Sequence, residues 1–296
     1  MKFTNKFNRR QFIGRTAILA ATTLASRGFA ATKRTAVDQV ELGKTGIKLS
    51  RLGMGCGTNS GNVQFNLGQE GFNRLIRYAY DQGITYFDCA QSYKTFPWMG
   101  EAIKGLPREK LFLLSKIPGN PEKPMEVIDR HLKNYQTDYL DCILVHCAVK
   151  GTWTDDLKRL MDALSEAKAR KKIRAHGVSC HSLPALTLAA SSDWVDVNLV
   201  RVNPQAKHID GPDEAWNKSG SDLEPVLKQI KIMRSKGHGI IGMKICGNGD
   251  FVKAEDREKS IRFAMAQPEI DAITIGFKSK EEIDEAIERM NRALAG

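Results

Sequence analysis

The chain has 296 residues, 42% of them hydrophobic and 27% charged, with a formal net charge of +11. That composition supports a large apolar core and excludes a disordered or collagen-like chain. The charge is unevenly placed: residues 1–34 hold eight Lys and Arg and no acid, so the remainder carries only +3 and its charge gives no case for nucleic acid as a partner.

Within that basic segment, Asn8-Arg9-Arg10-Gln11-Phe12-Ile13 resembles the twin-arginine export motif. A weakly apolar run from Thr16 to Ala25 follows, and Gly28-Phe29-Ala30 is a small-x-small cleavage pattern. The run is shorter than the about 20 apolar residues a spanning helix needs, so no stable membrane span is expected. The resemblance implies the twin-arginine (Tat) export machinery as a partner and a periplasmic or extracellular location. Residues 1–34 are expected to be signal peptide and tail, and residues 35–296 a single catalytic domain.

Beyond it, short apolar runs alternate with longer amphipathic ones to the end of the chain, which argues for repeated βα units. Gln39 to Leu49 reads as a hairpin that plugs a barrel floor. Strand ends are expected near Gly55, Asp88, Lys116, His146, Ser179, Leu199, Lys244 and Gly276. Phe72 to Tyr80 has helical spacing, and further helices are expected over 123–135, 154–170, 222–236, 255–266 and 279–294. The expected fold is α/β, a (β/α)8 TIM barrel with an N-terminal β-hairpin. The longest irregular stretch, Asn203 to Gly220, contains Trp216 and is a candidate lid or substrate wall; its polar composition suits a polyhydroxylated ligand.

Three successive predicted strands end in Asp88, Lys116 and His146, and Tyr93 follows the first of them by five residues. Reducing a carbonyl needs a proton donor near the oxygen. A tyrosine with an ordinary pKa of about 10 holds its proton at neutral pH, and a neighbouring ammonium makes that proton easier to give. Lys116 supplies the charge, Asp88 compensates it, and His146 hydrogen-bonds the substrate oxygen or relays a proton. Each residue alone has a plainer reading, as a cap, a loop hydrogen bond or packing. The four together, in order, resemble the aldo-keto reductase superfamily, as do Leu42-Gly43-Lys44-Thr45-Gly46, Met99-Gly100-Glu101-Ala102-Ile103 and Ile173-Arg174-Ala175-His176-Gly177-Val178-Ser179. The resemblance spans residues 37–296 and implies Tyr93 as acid/base, Lys116 and Asp88 as its tuning pair, and His146 as the orienting group.

No Gly-x-Gly-x-x-Gly follows the first strand. A phosphate seat is expected instead where Gly276 ends a strand and Phe277-Lys278-Ser279-Lys280 opens the last helix, although Ser279 and Glu282 also read as a capping box. The resemblance implies that Lys278 and Ser279 lie near the adenosine phosphate, that Glu285 contacts the adenine and that Ser179 meets the carboxamide. Lys244 is expected to reach a cofactor phosphate. The basic residues favour NADP, with NAD as the alternative. The sequence departs from the family pattern at Met243, where a nicotinamide-stacking tyrosine is usual, at Leu199 for a glutamine, and at Cys180 and Ala286 for asparagines. Asn198 replaces the missing glutamine only if the register shifts.

The six cysteines include no Cys-x-x-Cys pair, so apolar packing is their default reading, with a disulfide across the mouth as a second option and no metal site expected. His131 reads as structural, and His181 as a solvated loop residue near the mouth, with contact to substrate as the alternative. The functional expectation is an exported NADP(H)-dependent oxidoreductase interconverting a carbonyl (aldehyde, ketone or sugar) and an alcohol. The alternative is a nucleotide-binding barrel of the same family with a sensing or structural role.

Overall fold

Eight parallel strands close into a barrel in this computed structural model, which describes Met1 and residues 34–296. The twin-arginine motif and the Gly28-Phe29-Ala30 pattern lie outside the described residues. The hairpin β1 (Gln39–Glu41) and β2 (Lys48–Ser50) is antiparallel and precedes the barrel. The barrel strands are β3 (Leu52–Gly55), β4 (Tyr86–Asp88), β5 (Phe112–Pro118), β6 (Leu140–Ala148), β7 (Ile173–Cys180), β8 (Val197–Arg201), β9 (Gly239–Met243) and β10 (Ala272–Gly276). Pairing runs in chain order, and β10 closes on β3 with Ile273 opposite Leu52.

Each strand is followed by a helix: α1 (Gly68–Asp81), α2 (Met99–Ile103), α3 (Pro124–Tyr135), α4 (Lys158–Ala169), α5 (Leu183–Ser191), α6 (Glu224–Lys236), α7 (Ala254–Met265) and α8 (Lys280–Ala295). Among the described residues no helix is long and apolar enough to cross a membrane.

The expected architecture is therefore present, with shifts at its edges. β5, β6 and β8 run two residues past the expected ends at Lys116, His146 and Leu199, and β9 stops at Met243. The stretch 154–170 divides into a short turn of helix, Trp153–Asp156, and α4. Sequence periodicity misses α5. This helix is apolar on nearly every side, so it has no amphipathic signature, and what fixes it is its cap. Ser182 accepts from the Ala185 amide at 3.1 Å and donates to the Val149 carbonyl, and Pro184 stands in the first turn.

Two apolar layers result. Strand residues facing outward pack with the helices, including Phe87, Leu113, Ile143 and Val178. Inward residues Tyr86, Phe112, Leu114, Cys142, Leu144, Ala175, Val197, Leu199 and Ile241 fill the barrel. Leu42, Ile47 and Leu49 of the hairpin belong to this inner cluster, so the hairpin plugs the floor as expected. Filling the barrel from below leaves chemistry to the upper end.

Candidate active site

Strand alternation builds the site. Side chains on a strand point to opposite faces with period two. Tyr86, Leu114, Leu144 and Leu199 face inward, so Asp88, Lys116, His146 and Arg201, each two residues further, form the next inward layer. Ser179 follows inward Ala175 by four residues. This polar layer is the core layer continued upward, with polar residues substituted where the strands reach the mouth.

Lys116 is only 1% exposed and donates from its ammonium to Asp88 Oδ1 and, at 2.9 Å, to the Cys89 carbonyl. The Tyr86 hydroxyl donates to the other oxygen, Asp88 Oδ2, at 2.9 Å. Asp88 is thus held at both oxygens. A buried ammonium is tolerable only with such compensation, and the arrangement fixes where the charge sits. Burial pulls the Lys116 pKa down, but Asp88 outweighs this and holds it above the ordinary lysine value, so it stays cationic.

Tyr93 lies on the β4–α2 loop, in a turn closed by its amide to the Ala90 carbonyl at 3.0 Å. Its ring centre is 5.1 Å from Lys116 Nζ and 5.6 Å from the His146 ring, edge to face. The ring lies flat on Gly57, where a Cβ atom would come within 2.0 Å of it, so only glycine leaves it this place. Burial pushes the Tyr93 phenol above its ordinary pKa, and Lys116 pulls it back in part. The sequence suggests the pull alone; the enclosing walls reverse the net direction. His146 is buried, and burial, aided by the charges of Lys116 and Lys244, lowers its pKa to about 3. Its Nδ1 is 3.2 Å from Ser92 Oγ.

A cleft of about 570 Å³ runs from Asp88, Tyr93 and Lys116 past Leu199 and Lys244 to Gly276, Lys278, Glu285 and Arg289. Of the residues expected to hold a cofactor, Lys244, Gly276, Lys278 and Glu285 line it directly. Ser279 does not line it and instead caps α8, accepting from the Glu282 amide at 3.4 Å. The capping reading therefore holds, and the Glu282 carboxylate accepts from the Lys278 amide at 2.9 Å. Ser179 does not line the cleft either: it is buried near the end of β7, and its hydroxyl has no partner among the described residues. Gly276 has no room for a side chain, since a Cβ would meet Thr58 Oγ1 at 1.8 Å.

A cleft of this volume, an unmatched hydroxyl at Ser179, an unmatched Gln64 Oε1 beside Thr58, and the helix start at α8 fit a dinucleotide. Glu285 is already engaged: Arg257 Nε donates to it at 2.9 Å and Arg289 Nε at 2.7 Å. Sequence reasoning missed both arginines. The four-residue spacing of Glu285 and Arg289 is a usable signal, whereas Arg257 comes from another helix.

Other expectations resolve as follows. Leu199 lines the cleft and Asn198 bonds His238 at 3.1 Å on the other face of β8, so no register shift brings Asn198 into the missing glutamine's place. Lys244 leaves the end of β9 with φ of +61° and donates to Asn248 Oδ1 at 2.7 Å. His131 is buried and 3.2 Å from Gln91, a structural role. His181 is no solvated loop residue; it is half-buried, with Nε2 3.6 Å from Cys147 Sγ. All six cysteines are free thiols, and among the described residues no cluster has metal-holding composition. The ion pair Arg201–Asp210, buried at both ends with 2.7 Å between them, anchors the 203–220 loop and gives no sign of itself in the sequence.

The profile described as Aldo/keto reductase family matches residues 51–294. An NADPH-dependent codeinone reductase of Papaver somniferum is 30% identical over 245 residues, covering 68% of this chain and 74% of its own. An aldo-keto reductase of Bacillus subtilis (strain 168) is 30% identical over 165 residues, 50% of this chain and 48% of its own. The chain spans about half the length of several curated relatives it matches, 51% and 48% in two of them. The holo structure of an aldo-keto reductase from Bacillus halodurans superposes with a TM-score of 0.67 at 15% identity, over 88% of this chain and 95% of that one, which speaks to the fold.

Proposed function

The chain belongs to the aldo/keto reductase family, and from that premise we propose that it is an NADP(H)-dependent oxidoreductase interconverting a carbonyl and an alcohol. The observation that carries this is Tyr93 set beside the buried Lys116–Asp88 pair, in a cleft of about 570 Å³ that is also lined by Gly276 and Lys278. Ser179, Gly276, Lys278 and the start of α8 would hold the cofactor, with the Glu285–Arg257–Arg289 cluster walling its far end. When bound, the nicotinamide supplies or accepts the hydride.

This chain's own residues manage the proton. In the reducing direction Tyr93 arrives protonated, since burial holds its phenol above 10. It donates from its hydroxyl to the carbonyl oxygen as negative charge develops there. Lys116 favours the phenolate left behind, and Asp88 keeps Lys116 in place. Burial, with the charges of Lys116 and Lys244, favours the neutral form of His146 near pH 7. In the tautomer whose Nδ1 accepts from Ser92, the other nitrogen carries the hydrogen and donates to the same carbonyl oxygen, fixing its position.

Tyr93→Phe tests this reading. We expect reduction to fall by about 10²- to 10⁴-fold, the usual scale of general acid catalysis, with NADPH affinity by fluorescence titration nearly unchanged. Turnover close to that of the unaltered protein would refute the role of Tyr93.

We also propose, from residues 1–34, that the protein is exported by the twin-arginine route, loaded with nucleotide before it crosses. A reporter fused to this segment and kept in the cytoplasm would refute the route.

A further inference from the structure

Three cationic side chains converge at the mouth of the barrel. Two have carboxylates of their own: Lys116 pairs with Asp88, and Arg201 pairs with Asp210 while donating to the His181 carbonyl at 2.7 Å. The third, Lys244, is half-buried and has no carboxylate partner among the described residues; its side-chain hydrogen bond there is to the neutral amide of Asn248. The histidines here, His146 and His181, are neutral, because burial and these same cations lower both. The mouth therefore carries one partly buried positive charge that no carboxylate among the described residues compensates. Such a charge is costly, and proteins keep one where a ligand supplies the partner.

The backbone adds a second cost. Lys244 is not a glycine, yet its φ is +61°, in the left-handed region. That conformation is unfavourable for a residue with a side chain. It breaks the alternation of β9, in which Met243 faces inward, and so lets both consecutive residues line the cleft.

Position says which ligand. The charges of Arg201, Lys116 and Asp88 act on Lys244, and its own charge acts on His146 and His181. It lines the same cleft as Asp88, Tyr93 and Lys116, and its charge is felt at His146. Lys278 belongs to the start of α8.

We propose that Lys244 receives an anionic group of the substrate, a carboxylate or a phosphate carried on the same short chain as the reducible carbonyl. The protein would then act on oxo acids or phosphorylated aldehydes rather than on neutral sugars. This rests on the carbonyl-reductase reading of the site. Burial has pulled the Lys244 ammonium down to about 8, and an arriving anion restores its full charge.

The test compares matched pairs with NADPH: succinate semialdehyde against butanal, and glyceraldehyde 3-phosphate against glyceraldehyde. The unaltered protein should prefer the anionic member of at least one pair, and the pair showing the greater preference identifies carboxylate or phosphate. In Lys244→Met the anionic-to-neutral ratio of kcat/KM should fall about tenfold or more, the scale of removing one charge-assisted hydrogen bond from a desolvated site, and Lys244→Arg should recover part of it. Equal ratios in the unaltered protein and Lys244→Met, or a loss of NADPH affinity with the ratio unchanged, would overturn the proposal; the second result would give Lys244 to the cofactor. Calorimetry separates this from the parent reading. If no aldehyde is turned over but NADP-loaded protein binds 4-hydroxybutyrate and not butan-1-ol, in a Lys244-dependent way, the anion site stands and the reductase reading falls. No turnover and no such binding would sink both.

Discussion

Lys116 shows what one buried charge does at this site. It is held by Asp88 and the Cys89 carbonyl and works against the upward push that burial exerts on Tyr93. Removing it therefore raises the Tyr93 pKa further. Under the proposed mechanism the Tyr93 phenolate is the base in alcohol oxidation, so Lys116→Met should lose more activity at pH 7 than at pH 10, and alkali should partly restore it. A pH–rate profile in the oxidising direction decides this, and unchanged apparent pKa values would refute it. Asp88, Lys116 and His146 are legible in the sequence because each ends an apolar run, and strand alternation then turns all three inward. Arg257 is not, since its carboxylate partner Glu285 lies on a different helix, 28 positions away. Nor is the conformation of Lys244, which depends on how the chain leaves β9.

Among the elements, the strands and the amphipathic helices declare themselves by period, and α5 does not. Its boundary is set by a single side chain, Ser182, which also ties it to the end of β6 through the Val149 carbonyl. Ser182→Ala removes both bonds and leaves Ser182's partners unmatched. We expect a loss of about 1–3 kcal/mol, from the cap and one buried acceptor, measured as a shift in the urea midpoint with an unchanged slope. No loss of stability would mean that helix packing alone places α5. The hairpin is legible for a different reason: Gly43 and Gly46 mark its turn, and Leu42, Ile47 and Leu49 supply the apolar face that the barrel floor needs.

For the whole molecule, acid is the predicted weakness. Burial lowers His131 to about 4 and His146 to about 3, from an ordinary value near 6.5. A depressed histidine contributes stability that is fully present above about pH 6.5. It is lost as pH falls toward the folded values, because the unfolded chain binds the protons first. Between pH 6 and 4 these two groups alone should steepen the decline by up to about 2.7 kcal/mol per pH unit. Urea unfolding at half-unit steps measures it, and a flat profile across this window would show that both rings titrate normally.

The pairing of Leu52 with Ile273 has a consequence for synthesis. The two residues are separated by 221 positions, so at about 5–20 residues per second β3 waits roughly 10–40 s for β10 to emerge. Throughout that interval the nascent chain presents an unpaired parallel edge, a surface prone to wrong association. Closure is therefore a timed event, and a companion that shields β3 would matter most while β4 to β9 are being laid down. Ribosome-held chains halted with β10 still inside the exit tunnel should be cut readily by protease, and chains long enough to free Gly276 should resist it. Resistance already present in the shorter chains would show that seven strands hold without the eighth.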